Sequence, residues 1–342
     1  MSTAALIAAG RRRRALRRSR VLCGGLALLL AGFALTLMLG QSLVPPADVL
    51  RVLAGQDVAG ASFTVGQLRL PRAVLAILAG LSFGLGGAAF QIMLRNPLAS
   101  PDIIGISRGA SAAAVVAIVV LGLDGPMVSV LAVIAGLGVA LAIYALSFRG
   151  GVAGTRLILV GIGISAMLDS IIAFVLSRAP SWDLAEAMRW LTGSGNGAQL
   201  SQALPLLVSL AVFGGLLVSR ARDLESLRLG DDAAAALGTN VPLTRVLVVV
   251  AAVGLIAVAT AVTGPVAFVA FLSGPIAARI LGPNGSVLIP AGLVGAVLVL
   301  GGDYIGQFLL PARFPVGVVT GALGAPYLLY LIMRANRAGD SM

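Results

Sequence analysis

The chain has 342 residues, of which 59% are apolar and 11% are charged, and its mean hydropathy is +1.04. Soluble domains are about 45–50% apolar and about 25% charged, so this composition excludes a soluble globular domain and indicates an integral membrane protein. The net charge of +11 is compatible with nucleic-acid binding, but every basic residue is an arginine and the arginines cluster at the ends of apolar runs. That pattern is a signal of membrane topology, and we expect no nucleic-acid partner.

The cysteine and histidine content limits the chemistry of the chain. Cys23 is the only cysteine, and histidine is absent. A disulfide framework or a cysteine metal site within one copy is thereby excluded, and the commonest metal ligand and proton shuttle is missing. We expect no metal site, no cofactor and no catalytic residue.

Long apolar runs predict membrane-spanning helices rather than a β-barrel, whose strands alternate between apolar and polar residues. Runs of about 17–25 residues are long enough to cross a bilayer. About ten such runs are present, near residues 21–43, 72–93, 105–121, 126–148, 157–177, 203–219, 243–263, 266–281, 287–302 and 315–333. The expected fold is an all-α polytopic membrane protein, with one membrane domain at 21–334, an arginine-rich tail at 1–20 and a C-terminal tail at 335–342.

The arginines predict the orientation of the chain. If both termini are cytoplasmic, 18 arginines lie on the cytoplasmic side and six on the opposite side. Cytoplasmic loops carry the excess of basic residues, so this ratio favours both termini in the cytoplasm, as expected in a bacterial inner membrane. The basic start also resembles a signal peptide. Its apolar run lacks a convincing small-residue cleavage site, so we favour an uncleaved first helix.

The stretch FQIMLRNPLASPDIIGISRGAS (90–111) interrupts the apolar sequence on the predicted cytoplasmic side. Pro97 and Pro101 lack amide hydrogens and disfavour helical geometry in the residues before them, so the chain must turn there. An ordinary loop is one interpretation. We favour a tightly packed re-entry, because small residues let helix backbones approach closely and glycines flank the turn at positions 80, 84, 86, 87, 105 and 109.

The stretch TGPVAFVAFLSGPIAAR (263–279) has Gly-Pro pairs at 264–265 and 274–275 inside an apolar region. Interrupted helices are tolerated in a membrane where protein or a water-filled cavity covers the freed backbone. The two pairs therefore predict either a transport path or plain kinks.

A long polar segment, SRARDLESLRLGDDAAAALGTNVPLTR (219–245), lies on the predicted cytoplasmic face. Asp231 and Asp232 suit the N-terminus of a helix, the alanines that follow propagate it, and Gly238 can adopt the left-handed conformation that ends it. The segment predicts a short, nearly apolar helix in the cytoplasm. Such a helix either binds a partner or packs on its own bundle.

Three charged residues at other positions are candidates for function. Arg69 and Arg72 lie at the predicted outer end of the second span, against the general bias of basic residues, and we favour an acidic partner or substrate for them. Asp169 lies deep within the fifth predicted span, where an ionisable group is costly and marks a functional site by default. The alternative for Asp169 is a carboxyl group hydrogen-bonded to a neighbouring helix.

Together these stretches resemble the permease subunits of ABC importers for ferric siderophores, cobalamin and haem. The resemblance covers nearly the whole chain after residue 60. It is carried by RLPR (69–72), GLGGAAFQIMLRNPLASPDIIGISRGA (84–110), GTRLILVGIGISA (154–166), RWLTGSGNGA (189–198), LGDDAAAALGTN (229–240), GPVAFVAFLSGPIAAR (264–279) and FPVGVVTGALGAPYLLYL (314–331).

The resemblance implies a type II ABC importer permease fold with ten helices. It also implies a second permease subunit, identical or homologous, a cytoplasmic ATPase dimer and an extracytoplasmic substrate-binding protein. By position, Arg69 and Arg72 match arginines that face acidic residues of the binding protein, and Gly154 and Thr155 match the loop that closes the path on the cytoplasmic side. The residues that match the ATPase coupling helix are Gly230, Asp231, Asp232, Ala233, Ala234, Leu237 and Gly238.

The sequence departs from the family pattern at several positions. Ile276 stands where the family usually has histidine, and Ala235 stands where a basic residue is common in the coupling helix. Arg313 replaces a glutamate before the last helix, while Gln307 replaces an arginine. The outer positive charge is therefore relocated, and we expect Arg313 to contact the binding protein.

The expected function is import of an iron(III)-siderophore complex, powered by a separate ATPase. Cobalamin or haem import by the same architecture is the first alternative. A secondary transporter with Asp169 as the ion-coupling group is a more distant one. An intramembrane enzyme is the weakest, because Asp169 and Asp303 have no histidine or second carboxylate near them in the sequence.

Overall fold

In the computed structural model, the residues described are 3–99, 105–147, 154–282 and 285–339, and helices without any β-strand make up their regular secondary structure. The helices are α1 Thr3–Met38, α2 Pro46–Leu53, α3 Ser62–Met93, α4 Ile106–Val119, α5 Gly125–Ser147, α6 Gly154–Leu176, α7 Ser181–Leu191, α8 Leu200–Ser219, α9 Ala221–Leu227, α10 Asp231–Ala236, α11 Val241–Thr263, α12 Val269–Leu281, α13 Leu288–Leu309 and α14 Val316–Gly339.

The ten predicted spans correspond to ten of these helices. Seven helices are long and apolar enough to cross a bilayer, namely α1, α3, α5, α6, α8, α11 and α13. Three further apolar helices, α4, α12 and α14, are shorter over their apolar parts. The sequence prediction of an all-α polytopic membrane protein is confirmed.

The first helix differs from its predicted bounds. A span was expected at 21–43, but α1 begins at Thr3 and ends at Met38, so the segment predicted as a tail is helical as well. Alanine, leucine and arginine are among the strongest helix formers, and the arginines therefore extend the helix rather than end it.

Helix α3 forms the centre of the bundle and packs against α11, α12 and α13. Its glycines allow this close approach. A Cβ on Gly80 would lie 2.5 Å from the carbonyl oxygen of Gly295 in α13, too near for any larger residue. The predicted close packing of the glycine-rich flank is therefore confirmed.

The start of α4 lies inside the bundle. Helix α4 begins beside Gly105, whose φ angle is 65°, and a Cβ there would lie 3.5 Å from the Ser165 hydroxyl in α6. Ser165 is 11 residues beyond the start of α6, or about 16 Å along its axis. Helix α4 thus begins part-way across the bundle, as the re-entry predicts, although residues 100–104 lie outside the described part of the chain.

The two Gly-Pro pairs behave differently. The first ends α11 at Thr263, and Gly264 then adopts a φ angle of 72° that L-residues avoid. The second does not interrupt a helix, because Pro275 lies inside α12. A proline cannot donate to the carbonyl four residues earlier, which here belongs to Phe271.

Gln91 in α3 satisfies that freed carbonyl. Its side-chain Nε2 donates to the Phe271 carbonyl at 2.9 Å and to the Pro97 carbonyl, also at 2.9 Å. One buried amide group therefore connects α3, the turn after it and the proline-containing helix α12. This contact explains how the RNPLA turn is held against the bundle.

Candidate functional sites at the two ends of the bundle

Helices α9 and α10 form a projection at the predicted cytoplasmic end. Gly230 enters α10 with a φ angle of 108° and Gly238 leaves it with a φ angle of 87°. The Gly238 amide donates to the Ala235 carbonyl at 2.9 Å, and the Thr239 amide donates to the Ala234 carbonyl at 3.0 Å. This is the Schellman pattern of helix termination, so the predicted role of Gly238 in ending the helix is confirmed.

The short helix has one packed face and one free face. Ala234 is fully buried against the rest of the chain, whereas Leu237 is 67% exposed. Asp232 and Ala233 are also exposed, as are Ala235 and Ala236. Both interpretations from the sequence are therefore partly right, because α10 packs on its own bundle and still presents an apolar surface. We call the exposed residues of α10, with Leu237, the α10 knob.

Asp231 anchors the knob to the bundle. Its two carboxylate oxygens each accept a 2.9 Å hydrogen bond from Arg245 in α11, and one lies 3.4 Å from the Arg95 guanidinium in the turn after α3. As expected from the sequence, Asp231 and Asp232 lie in the first turn of α10, where negative charge favours a helix N-terminus. The pairing joins residues up to 136 positions apart, and local sequence patterns do not reveal it.

Arg69 lies at the other end of the bundle, and its side chain has partners within the chain. Its guanidinium donates to the carbonyls of Leu37, Met38 and Ser42 at 2.7–3.0 Å. The residue is only 7% exposed. Arg69 thus binds the backbone between α1 and α2. Its predicted contact with a binding protein stays a prediction.

Arg72 pairs with Asp303 in α13. One guanidinium nitrogen donates to Asp303 at 2.7 Å, a second nitrogen also contacts that carboxylate, and the third donates to Asn196 at 2.7 Å. The side chains of Arg72 and Asp303 are 15% and 6% exposed. This pairing accounts for the buried carboxylate that the sequence left as an enzyme candidate. An acidic residue of a partner could reach Arg72 only by sharing it with Asp303.

Arg313 is the third predicted docking residue and differs from the other two. It lies in the exposed link between α13 and α14, and its neighbour Phe314 is 38% exposed. Arg313 is therefore the predicted docking residue with the most accessible side chain.

Asp169 in α6 pairs with Arg108 in α4 at 3.0 Å. The two side chains are 47% and 52% exposed, so the pair lies on the surface of the single chain. Arg108 belongs to the predicted span 105–121 and was counted among the 18 cytoplasmic arginines. It occupies the third position of α4, part-way across the bundle. Asp169 is thus not an isolated charge, and its pairing with α4 agrees with the expected alternative of a carboxyl group bonded to a neighbouring helix, although both side chains remain about half exposed.

The predicted cytoplasmic gate is only partly visible. Gly154 and Thr155 form the first residues of α6, while the surroundings of their side chains and the whole loop at 148–153 lie outside the described residues. Their gating role stays a prediction.

Comparison with known proteins identifies the family. Residues 28–334 match the model of the FecCD transport family. The chain belongs to this family. It is 38% identical over 302 residues to the ferric enterobactin transport system permease protein FepG of Escherichia coli (strain K12), covering 87% of this chain and 91% of that one. It is 39% identical over 313 residues to the achromobactin transport system permease protein CbrC of Dickeya dadantii (strain 3937), covering 90% of each.

A solved structure shares the whole architecture. The chain superimposes with a TM-score of 0.80 and 25% identity on a metal-chelate type ABC transporter in an inward-facing conformation, covering 92% of this chain and 99% of that one. The type II importer permease fold predicted from the sequence is therefore confirmed. The chain is a multi-pass membrane transporter component rather than a catalytic enzyme, and its family works in general with ATPase and binding-protein partners.

Proposed function

We propose that this chain is the permease subunit of an ATP-driven importer that moves an iron(III)-siderophore complex from an extracytoplasmic binding protein into the cytoplasm. Family membership and the relatives named for ferric enterobactin and achromobactin transport support the substrate class. The observation that carries the coupling part of the proposal is the α10 knob, exposed at Leu237 and anchored at Asp231. The chain contains no lysine, so it lacks the Walker motif of an ATP-binding loop, and the ATPase is a separate subunit.

The α10 knob transmits the motion of the ATPase. Exposed alanine and leucine side chains on a cytoplasmic projection suit an apolar cleft on a partner protein. The Asp231–Arg245 pair connects the knob to α11, and the Arg95 contact connects it to the turn after α3. A displacement of α10 by the ATPase therefore moves the bundle rather than a loose loop.

The complex contains two permease subunits, identical or homologous, around one central path. Closure of an ATPase dimer would bring two α10 knobs together and exchange inward-open and outward-open states as rigid-body movements. Gly154 and Thr155 close the path on the cytoplasmic side in this scheme.

The binding protein docks at the opposite end, and both termini are cytoplasmic. Arg313 offers an accessible cation to acidic residues of the binding protein, while Arg69 and Arg72 contribute to this surface from partly enclosed positions. Charge pairing of this kind orients the partner and speeds encounter more than it adds affinity.

Transport by the reconstituted complex tests the proposal. The permease and its ATPase are placed in vesicles with the binding protein loaded with an iron(III)-siderophore, and residues 231–237 are replaced by a Gly/Ser linker. We expect ATP-dependent uptake in the parent complex and its loss in the linker variant. Uptake driven by a proton gradient alone, without the ATPase, would contradict the proposal and favour the ion-coupled alternative. Uptake of cobalamin or haem but not of iron complexes would correct the substrate.

A matched pair of substitutions separates ATPase contact from general damage. Leu237 in the knob and Leu50 in α2 are both 67% exposed. We expect Leu237→Asp to abolish co-purification of the ATPase, because a charge enters the apolar contact, while Leu50→Asp leaves co-purification unchanged. Equal binding of the ATPase by both variants would argue against the knob as the contact.

A further inference from the structure

The Arg108–Asp169 ion pair lies at membrane depth. Asp169 is 15 residues from the first residue of α6 and seven from the last, or about 22 Å and about 10 Å along the axis. A hydrocarbon core is about 30 Å thick, so this position is well inside it. Arg108 reaches the same depth because the re-entrant turn starts α4 part-way across the bundle.

The pair also lies on a free surface of the single chain. Only 17% of the apolar window of α6 is buried, compared with 83% for α3. Around Asp169, the residues one helical turn before and after it, Ala166 and Ala173, are exposed as well. Their small side chains leave the carboxylate and the guanidinium accessible from outside.

A half-exposed ion pair at this depth is energetically unfavourable in contact with lipid. Charged side chains within the hydrocarbon core are costly and face the bundle interior or a water-filled cavity. Both side chains of the pair remain about half exposed in the single chain. The face formed by α4 and α6 at Asp169 therefore borders water in the assembled transporter.

Resting on the proposed function, we propose that Arg108 is a binding residue for an anionic iron(III) chelate inside the path, with Asp169 as its counterion while the path is empty. The planar guanidinium presents paired donors that match catecholate or carboxylate oxygens. An arriving anion would displace Asp169 from the Arg108 guanidinium. The fixed negative charge of Asp169 then keeps the bound anion from being held too tightly, which transit requires.

Thiol accessibility tests whether the pair borders water and which charge dominates there. In a Cys23→Ala background, Ala166→Cys places the chain's single thiol one turn from Asp169. Ala211→Cys in α8 is the matched control, since Ala211 is an exposed alanine near the middle of another span. The assembled transporter in membrane vesicles is treated with anionic methanethiosulfonate-ethylsulfonate and, separately, with the cationic trimethylammonium analogue.

We expect both reagents to modify the thiol at position 166 and neither to modify the thiol at position 211. Adding Arg108→Gln should lower the ratio of the modification rate by the anionic reagent to that by the cationic reagent by about tenfold, because an uncompensated carboxylate remains. Adding Asp169→Asn should raise this ratio by a similar factor. Failure of both reagents to modify position 166, with and without ATP, would place the pair in a dry contact and overturn the proposal. An unchanged ratio in both variants would overturn it too.

Uptake of defined chelates tests the role in binding. With the binding protein that delivers each complex, Arg108→Gln should reduce uptake of an iron(III) tricatecholate, which carries three negative charges, by about tenfold or more relative to a neutral iron(III) trihydroxamate. The double variant Arg108→Gln/Asp169→Asn should show the same selective loss without an unpaired charge, and co-purified ATPase shows that each variant is assembled. Equal loss for both chelates would overturn the anion site while leaving the importer function intact. Loss of ATP dependence would instead contradict the proposed function.

Discussion

Helices α3 and α6 are similar in hydropathy and opposite in surroundings. Their apolar windows have mean hydropathies of 2.0 and 2.3, yet 83% of the first is buried within the chain and 17% of the second. Each also contributes one member of an ion pair, Arg72–Asp303 for α3 and Arg108–Asp169 for α6. Hydropathy therefore identifies a span, whereas burial separates a helix at the centre of the bundle from a helix that stays exposed in the single chain.

Breaking the two ion pairs gives the largest expected difference in the free energy of unfolding. Arg72→Gln leaves Asp303 charged and 6% exposed, and breaking a buried pair in this way costs about 3–5 kcal/mol. Arg108→Gln breaks a half-exposed pair on a face that borders water in the assembled transporter, where the loss is about 0–1 kcal/mol. Denaturant titration of the assembled transporter measures both. Equal losses would remove the distinction between the core pair and the surface pair.

Glycine positions sharpen the same comparison. Leucine at Gly80 must overlap the backbone of α13, whereas the space around Gly163 in α6 is open, with no atom within 4 Å of a Cβ. We expect Gly80→Leu to destabilise the isolated chain by about 2–3 kcal/mol or to prevent its folding, and Gly163→Leu to change stability by less than about 0.5 kcal/mol. Thermal unfolding of the two purified variants decides this, and a large loss at position 163 would contradict the free surface of α6.

Gln91 is a buried polar residue of α3 whose side-chain nitrogen donates to two backbone carbonyls. Gln91→Leu would leave the carbonyls of Phe271 and Pro97 without this donor, and a buried acceptor left unpaired costs about 1–3 kcal/mol. Gln56, exposed between α2 and α3, is the control, because Gln56→Leu should change stability by less than about 0.5 kcal/mol. The two unfolding curves are compared directly. An unchanged stability of Gln91→Leu would show that the two hydrogen bonds from Gln91 to the turn and to α12 do not stabilise the bundle.

The sequence was informative where structure depends on neighbouring residues. Run length identified the spans, proline chemistry placed the turn after α3, and Gly238 marked the end of α10, because each rests on local geometry. The first helix is longer at its start than the apolar run indicated, because arginine propagates a helix. The Gln91 contact has a signal in the sequence, since Pro275 frees a carbonyl and a glutamine in an apolar span can donate to it.

The pairings of the charged residues were not predictable from one sequence. Arg72 and Asp303 are 231 positions apart, and Arg95 and Asp231 are 136 apart. These contacts depend on how the helices pack, and periodicity and composition carry no information about which helices become neighbours. The sequence assigned partners outside the chain to Arg69 and Arg72, and the structure adds partners within it. Their docking to a binding protein stays a prediction.

A small change in stability is expected at Arg245, together with a separate effect on coupling. The Arg245 and Asp231 side chains are 23% and 41% exposed, so Arg245→Gln should cost less than about 1 kcal/mol. If α10 transmits the motion of the ATPase, loosening its anchor should nevertheless lower the number of chelates imported per ATP hydrolysed. Arg222→Gln, at an exposed arginine of α9, should leave that ratio unchanged. Simultaneous measurement of uptake and phosphate release in vesicles distinguishes the two. A normal ratio in Arg245→Gln would mean that the knob transmits force through its apolar packing at Ala234 rather than through the ion pair.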